Sequence, residues 1–299
     1  MTRNPDRPKA APMGKAASAL ILLLPAMGLC TVFIFIPALL AIIGSFHSFG
    51  ITSQVWVPAG LSNYSRAMAD PVFWVALRNN IFIVVGSIVL QVGFGTILAA
   101  ILDSGLPRGT TVFRTIIFAP MVVSAVAVAV IWQVILDPNV GVLNTLIQSA
   151  GLTPPKLGWL GDPMISMWVI LLIAAWQYTG FMMVLILAGL QGIPKEIHEA
   201  ATLDGAKGVT AFFLITLPQI RNVLVVAILI TTIGGFKAFD LIYATTLGGP
   251  ANATQVLGTY VYLQAFNLGN MGYANAMSVI LLLIALVLGW LQVSVSRRA

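Results

Sequence analysis

Charged side chains are scarce in this sequence: Asp, Glu, Lys and Arg together make up 8% of 299 residues. A soluble domain carries about 25%, because its surface must be solvated, so a chain this poor in charge does not cover a water-facing surface of its own size. Cysteine is scarcer still. The single Cys30 excludes a disulfide scaffold, a thiolate zinc cluster and an iron–sulfur site; inside an apolar run it reads as a packing residue. Two His, His47 and His198, stand in distant segments and give no basis for a metal site. No G-x-x-x-x-G-K-S/T phosphate loop occurs. No His, Glu and Asp cluster of metal-ligand spacing and no Ser or Cys with a plausible base is found in the apolar runs. Neither catalytic residues nor metal ligands are therefore expected.

What is abundant is apolar sequence, at 59% of residues with a mean hydropathy of +0.98. Spanning a bilayer takes about 20 apolar residues, and runs of that order lie at 18–46, 77–101, 112–136, 164–190, 219–243 and 275–295. They predict an all-α, polytopic membrane bundle of six helices over 18–295, with short tails at 1–17 and 296–299. The first run follows Arg3, Arg7, Lys9 and Lys15 but extends far beyond the apolar core of a signal peptide, so an uncleaved first span is expected. Bulky Leu29 before Cys30 argues against a lipoprotein cleavage box.

Orientation is read from Lys and Arg. With the N-terminus inside, Arg3, Arg7, Lys9, Lys15, Arg108, Arg114, Lys195, Lys207, Arg221, Arg297 and Arg298 fall on the cytoplasmic side. Arg66, Arg78, Lys156 and Lys237 fall on the other, a split of 11 to 4. Six crossings return the C-terminus to the cytoplasm. The net charge of +6 is thus explained by membrane orientation, without nucleic acid. In the outer segments Trp56, Trp74, Trp159 and Tyr64 fit an interfacial belt. Gly248-Gly249-Pro250 marks a turn, after which 251–274 is expected to hold a short re-entrant or interfacial helix.

The most informative stretch is the inner loop at 191–221. Pro194 suits a helix start, Lys195 to Leu203 are good helix formers, and Gly205 is suited to a left-handed closing position. A second helical piece from Val209 is expected to end at Pro218. Amphipathic segments of this kind lie on lipid or dock into a groove on another protein.

Glu199-Ala200-Ala201, Asp204-Gly205-Ala206, Ile215, Leu217 and Pro218 resemble the EAA loop of ABC importer permeases. Phe73 to Asn80, Asp137 to Asn144, Phe239 to Tyr243, Gly248 to Pro250 and Gly272 to Ser278 resemble the carbohydrate-uptake branch, of maltose and glycerol-3-phosphate type. The details after the fifth run are similar to the F-type rather than the G-type permease of a pair. The resemblance implies a bacterial inner-membrane location, a G-type partner permease, two cytoplasmic ATPase subunits that bind ATP and Mg, and an external solute-binding protein. It also makes 191–221 the coupling loop, with Glu199 as the charged contact, Ala200 and Ala201 permitting close approach, and Asp204-Gly205 at the turn. No cofactor is expected in this chain itself.

Ionisable groups within spans are costly and point to function. Lys237 and Asp240, three apart on one expected helical face, either pair with each other or meet polar groups on a solute path. Thr231, Thr232 and Gly235 fall near mid-membrane by helical rise. Trp176, Gln177, Tyr178 and Phe181 offer hydrogen bonds and aromatic plates for a sugar-like solute. Ala174, Gly235 and Ala238 stand where the maltose-type permease has Asn, which implies a gated conduit with selection left to the binding protein. The competing reading is a stand-alone, ion-coupled secondary transporter with Lys237 and Asp240 as its coupling pair.

Overall fold

The structure is a computed structural model and describes residues 15–52, 55–104, 109–206 and 208–298. Residues 1–14, Arg108 and Lys207 lie outside it, and with them most of the expected N-terminal tail, including Arg3, Arg7 and Lys9.

A bundle of helices accounts for most of the described residues. Lys15–Cys30, a π turn at Thr31–Phe35 and Ile36–Ser45 run on as one helix, α1. A two-residue antiparallel bridge, His47–Ser48 with Val57–Pro58, closes the segment after it. Next come α2 (Ser62–Ala69) and the long α3 (Pro71–Asp103), which contains a π turn at Ile88–Gly93. α4 (Thr110–Val122) and α5 (Ala125–Ile135) follow, then α6 (Val142–Ser149) and α7 (Ser166–Leu190). The inner loop holds α8 (Lys195–Leu203) and α9 (Gly208–Gln219). The chain continues through α10 (Arg221–Phe236), α11 (Asp240–Thr246), α12 (Leu257–Tyr262) with a π turn at Leu263–Asn267, and α13 (Met271–Arg298).

Among the described residues, four helices are long and apolar enough to cross a membrane, and six crossings result if each of two bent pairs counts as one. The first bend corrects the sequence reading, and the second falls where that reading ends a helical piece at Pro218. The third run is no straight helix: α4 and α5 meet at 99°. Pro120 lacks the N–H that would continue the ladder, Val123 is extended, and Ser124 starts α5 by accepting the Ala127 amide at 3.3 Å. At the start of the fifth run α9 and α10 meet at 74°. α9 also passes Pro218, which sits in its last turn, and ends at Gln219.

Small residues let these helices approach closely. Ala67, Ala76, Ala99, Ala129, Ala227 and Ala276 are all fully buried, as expected where association rests on packing and not on expulsion of water. The span within α1 stands apart: none of its most apolar stretch is buried in this chain. Its second part, Ile36–Ser45, runs against α13, and beyond its end Asn63 donates to the carbonyls of Ser45 and His47, both at 2.9 Å.

Candidate functional site

The breaks, more than the helices, shape the interior. α10 has 16 residues and at 1.5 Å per residue reaches about 24 Å, short of a hydrocarbon core of about 30 Å. Its helix stops at Phe236, Lys237 to Phe239 form an irregular link, and α11 begins at Asp240. Irregular backbone at such depth is tolerated where protein buries it or where it lines a cavity. Here it does the latter. A cavity of about 280 Å³ opens beside the link, walled by α3, α7, α10, α11 and the α4–α5 break.

Six of the nine residues expected on a solute path line this cavity: Tyr178, Phe181, Thr231, Gly235, Lys237 and Asp240. Ser87 and Gln91 join them from α3, with Gln91 Nε2 donating to Ser87 Oγ at 3.1 Å. The sequence reading passed over both; a glutamine in the middle of an apolar run was the available signal, because a buried amide must find partners.

Three expected path residues lie elsewhere. Trp176 is turned to the outside of the bundle, edge-on to Trp132 at 5.6 Å. Gln177 is buried behind the wall, where its Nε2 donates to the Val123 carbonyl at 3.0 Å and so caps the broken end of α4. Thr232 faces the last helix and accepts from Gln292 Nε2 at 2.9 Å. The expectation that Lys237 and Asp240 share one helical face is also corrected, since the helix ends between them. No ion pair joins them within 4.0 Å, and both are exposed.

Two asparagines of the Phe73–Asn80 motif fasten the far side of the link. Asn80 donates to the Gly235 carbonyl at 3.1 Å and accepts the Leu257 amide at 2.8 Å. Asn79 donates to the carbonyls of Ala253 and Gln255 at 2.9 and 2.8 Å. The expected helix within 251–274 is present as α12, and its Leu257, Thr259 and Tyr260 are buried. Asp70 holds it from above, accepting the hydroxyls of Tyr260 at 2.5 Å and Tyr273 at 2.7 Å.

At the other end of the bundle, α8 closes as its sequence suggests. Gly205 takes φ +81°, its amide bonds the Thr202 carbonyl at 3.2 Å, and the Ala206 amide bonds Ala201 at 2.9 Å. This is the left-handed closure with paired backbone bonds that glycine permits. Ala201 is buried toward α9, while Glu199, Ala200, Asp204 and Gly205 are exposed. Leu203 is 89% exposed, and Val209, Phe213 and Leu214 on α9 are exposed as well.

The model of the binding-protein-dependent transport system inner membrane component family matches residues 91–299. The chain belongs to that family. This permease is 38% identical over 273 residues to the probable ABC transporter permease protein YurN of Bacillus subtilis, covering 91% of this chain and 93% of that one. It is 32% identical over 284 residues to the trehalose/maltose transport system permease protein MalF of Thermococcus litoralis, covering 93% and 94%. A chain of the bacterial ABC transporter involved in the import of the acidic polysaccharide alginate superposes with a TM-score of 0.84 at 22% identity, covering 95% and 96%; this likeness is one of fold. The permease is accordingly a multi-pass inner-membrane protein and a transport component without catalysis of its own.

Proposed function

We propose that this permease supplies half of the path for a sugar, or a related polyol or glycerol-phosphate solute, in an ATP-driven importer. The observation that carries this is the α8 hairpin: a closed helical turn that presents Glu199, Ala200 and Leu203 outward from a membrane bundle. An exposed leucine and a carboxylate on a rigid turn suit docking into a cleft of another protein, and a chain without a phosphate loop needs such a partner to draw on ATP. In this reading one of two cytoplasmic ATPase subunits seats α8, and those subunits hold ATP and Mg. A second, G-type permease completes the path, and an external solute-binding protein delivers the solute. The exposed first span is available to that second permease or to lipid. Both termini are cytoplasmic, in keeping with the Lys and Arg distribution. The F-type assignment is supported by the likeness to a MalF protein over 93% of this chain. The sugar class is supported by that relative's name.

Purification and reconstitution test this. The chain is expected to purify in a stable complex with an ATPase subunit and to support uptake only with ATP. Uptake by the chain alone in ATP-free vesicles would establish the ion-coupled transporter instead.

A further inference from the structure

Four aromatic rings continue outward from the cavity. Phe239, which lines it, stacks on Tyr243 at 5.0 Å and 15°. Tyr243 meets Tyr262 edge-on at 4.9 Å, and Tyr262 meets Phe266 at 5.0 Å. Phe239 and Tyr243 are four apart along α11 and its entry, and Tyr262 and Phe266 are four apart along α12 and its π turn, so each pair shares one helical face. The two faces meet as one row.

Packing alone does not account for this row. α12 buries its other side completely, through Leu257, Thr259, Tyr260 and Gln264, and α11 buries Ile242 and Thr245. The aromatic side stays partly open in every member, with Phe266 56% exposed. Nor does the open side suit lipid. Lys237 and Asp240 are exposed beside Phe239 without joining each other, and charges facing hydrocarbon are strongly disfavoured.

We propose that Phe239, Tyr243, Tyr262 and Phe266 form a stacking track that passes the rings of an uncharged saccharide into the cavity beside Lys237 and Asp240. The inference rests on the importer reading above. A pyranose presents a flat face of C–H groups, which an aromatic ring matches, and a rim of hydroxyls, which Lys237, Asp240, Thr231 and Gln91 meet at the cavity. Successive rings let a saccharide move from one plate to the next without complete desolvation of its hydroxyls. Lys237 and Asp240 are the two charged residues among those described around the cavity. Their charges cancel, so the mouth offers an anionic solute no net attraction.

The test uses the complete complex in proteoliposomes, with glucose, lactose and maltotriose as neutral probes and glycerol 3-phosphate and trigalacturonate as anionic ones. In a Cys30→Ser background, Phe266→Cys is expected to react with a membrane-impermeant maleimide, more slowly in the presence of a neutral saccharide. No reaction, as lipid or a second permease covering the ring would produce, overturns the track; so does protection by the anionic probes alone. Phe266→Ala is expected to lower saccharide uptake about three- to tenfold, with Phe266→Trp retaining it; equal uptake by all three proteins also overturns it. Uptake that persists without ATP would refute the importer reading separately, since the labelling reports on the track in either case.

Discussion

Asn80 accepts the Leu257 amide at 2.8 Å across 177 positions of the chain, and its other side-chain atom donates to Gly235 at 3.1 Å. One buried amide thus ties the start of α12 to the last turn of α10, just before the broken link at Lys237 to Phe239. Asn80→Leu would leave the buried Leu257 N–H without its partner, a loss of about 1–3 kcal/mol, while the Gly235 carbonyl keeps the Ala238 amide at 3.3 Å. Thermal unfolding in detergent, followed by tryptophan fluorescence, should fall by several degrees. Asn80→Asp, which keeps the acceptor for Leu257, should lose less. Equal stability of all three proteins would refute this role.

The bundle was legible because membrane helices have a minimum apolar length, and each of the six runs contains a helix or a bent pair. The closure of α8 was legible because its signals are local: Pro194, a run of helix formers and Gly205 act within a dozen residues. The breaks were harder. Pro120 and Ser124 are a helix stop and start signal, but a continuous apolar run from 112 to 136 hides them. The facing of α7 had no signal at all. Met167 to Leu190 is apolar on every side, so periodicity does not distinguish Tyr178, which reaches the cavity, from Trp176, which turns outward. Lys237 and Asp240 were placed on one helix because nothing in the run between Arg221 and Tyr243 stops it as Pro would. The stop depends on partners such as Asn80, more than a hundred residues away.

The exposed tip of α8 makes a separable prediction. Glu199→Lys reverses a charge, and Leu203→Asp places one on a side chain that is 89% exposed. Neither touches the bundle core, so membrane insertion and unfolding temperature should stay unchanged. If the tip is an interface anchor, each substitution should weaken association with the ATPase subunit by about 2 kcal/mol or more and reduce uptake accordingly. Co-purification and ATPase assays of the assembled complex check this; normal association of both variants would rule out α8 as the docking element.

Acid should act through Asp70. Burial raises its carboxyl pKa, but hydrogen bonds from Tyr260, Tyr273, Val72 and Phe73 outweigh that and hold it below the ordinary value. A carboxyl lowered by folding stabilises the native state above the unfolded pKa, about 3.9, and that contribution disappears as pH falls through the lower folded value. Stability owed to Asp70 should therefore be constant from pH 7 to 5 and decline below about pH 4. Asp70→Asn should unfold at lower temperature than wild type at pH 7, and the two melting curves should converge in acid. A constant gap down to pH 3 would show that the carboxylate charge is not what holds α12 and α13 to the start of α3.

Two helical glycines offer a contrast that isolates close packing from helix propensity. A Cβ on Gly180 of α7 would lie 2.1 Å from the Ile117 carbonyl oxygen and 2.8 Å from Phe118 Cα, backbone atoms of α4 that cannot rotate away. At Gly289 of α13 a Cβ meets nothing within 4 Å. Alanine favours a helix over glycine by about 1 kcal/mol at either site, so propensity alone predicts the same modest gain for both. Overpacking against fixed backbone costs about 1–3 kcal/mol and should reverse the sign at Gly180. Gly289→Ala is therefore expected to raise the unfolding temperature slightly. Gly180→Ala should lower it and, by pushing α4 away from α7, disturb the Val123–Gln177 hydrogen bond that caps the broken end of α4. Uptake should fall with Gly180→Ala and not with Gly289→Ala. Equal melting temperatures for the two variants would show that α4 yields, and that the 99° bend is not held by its contact with α7.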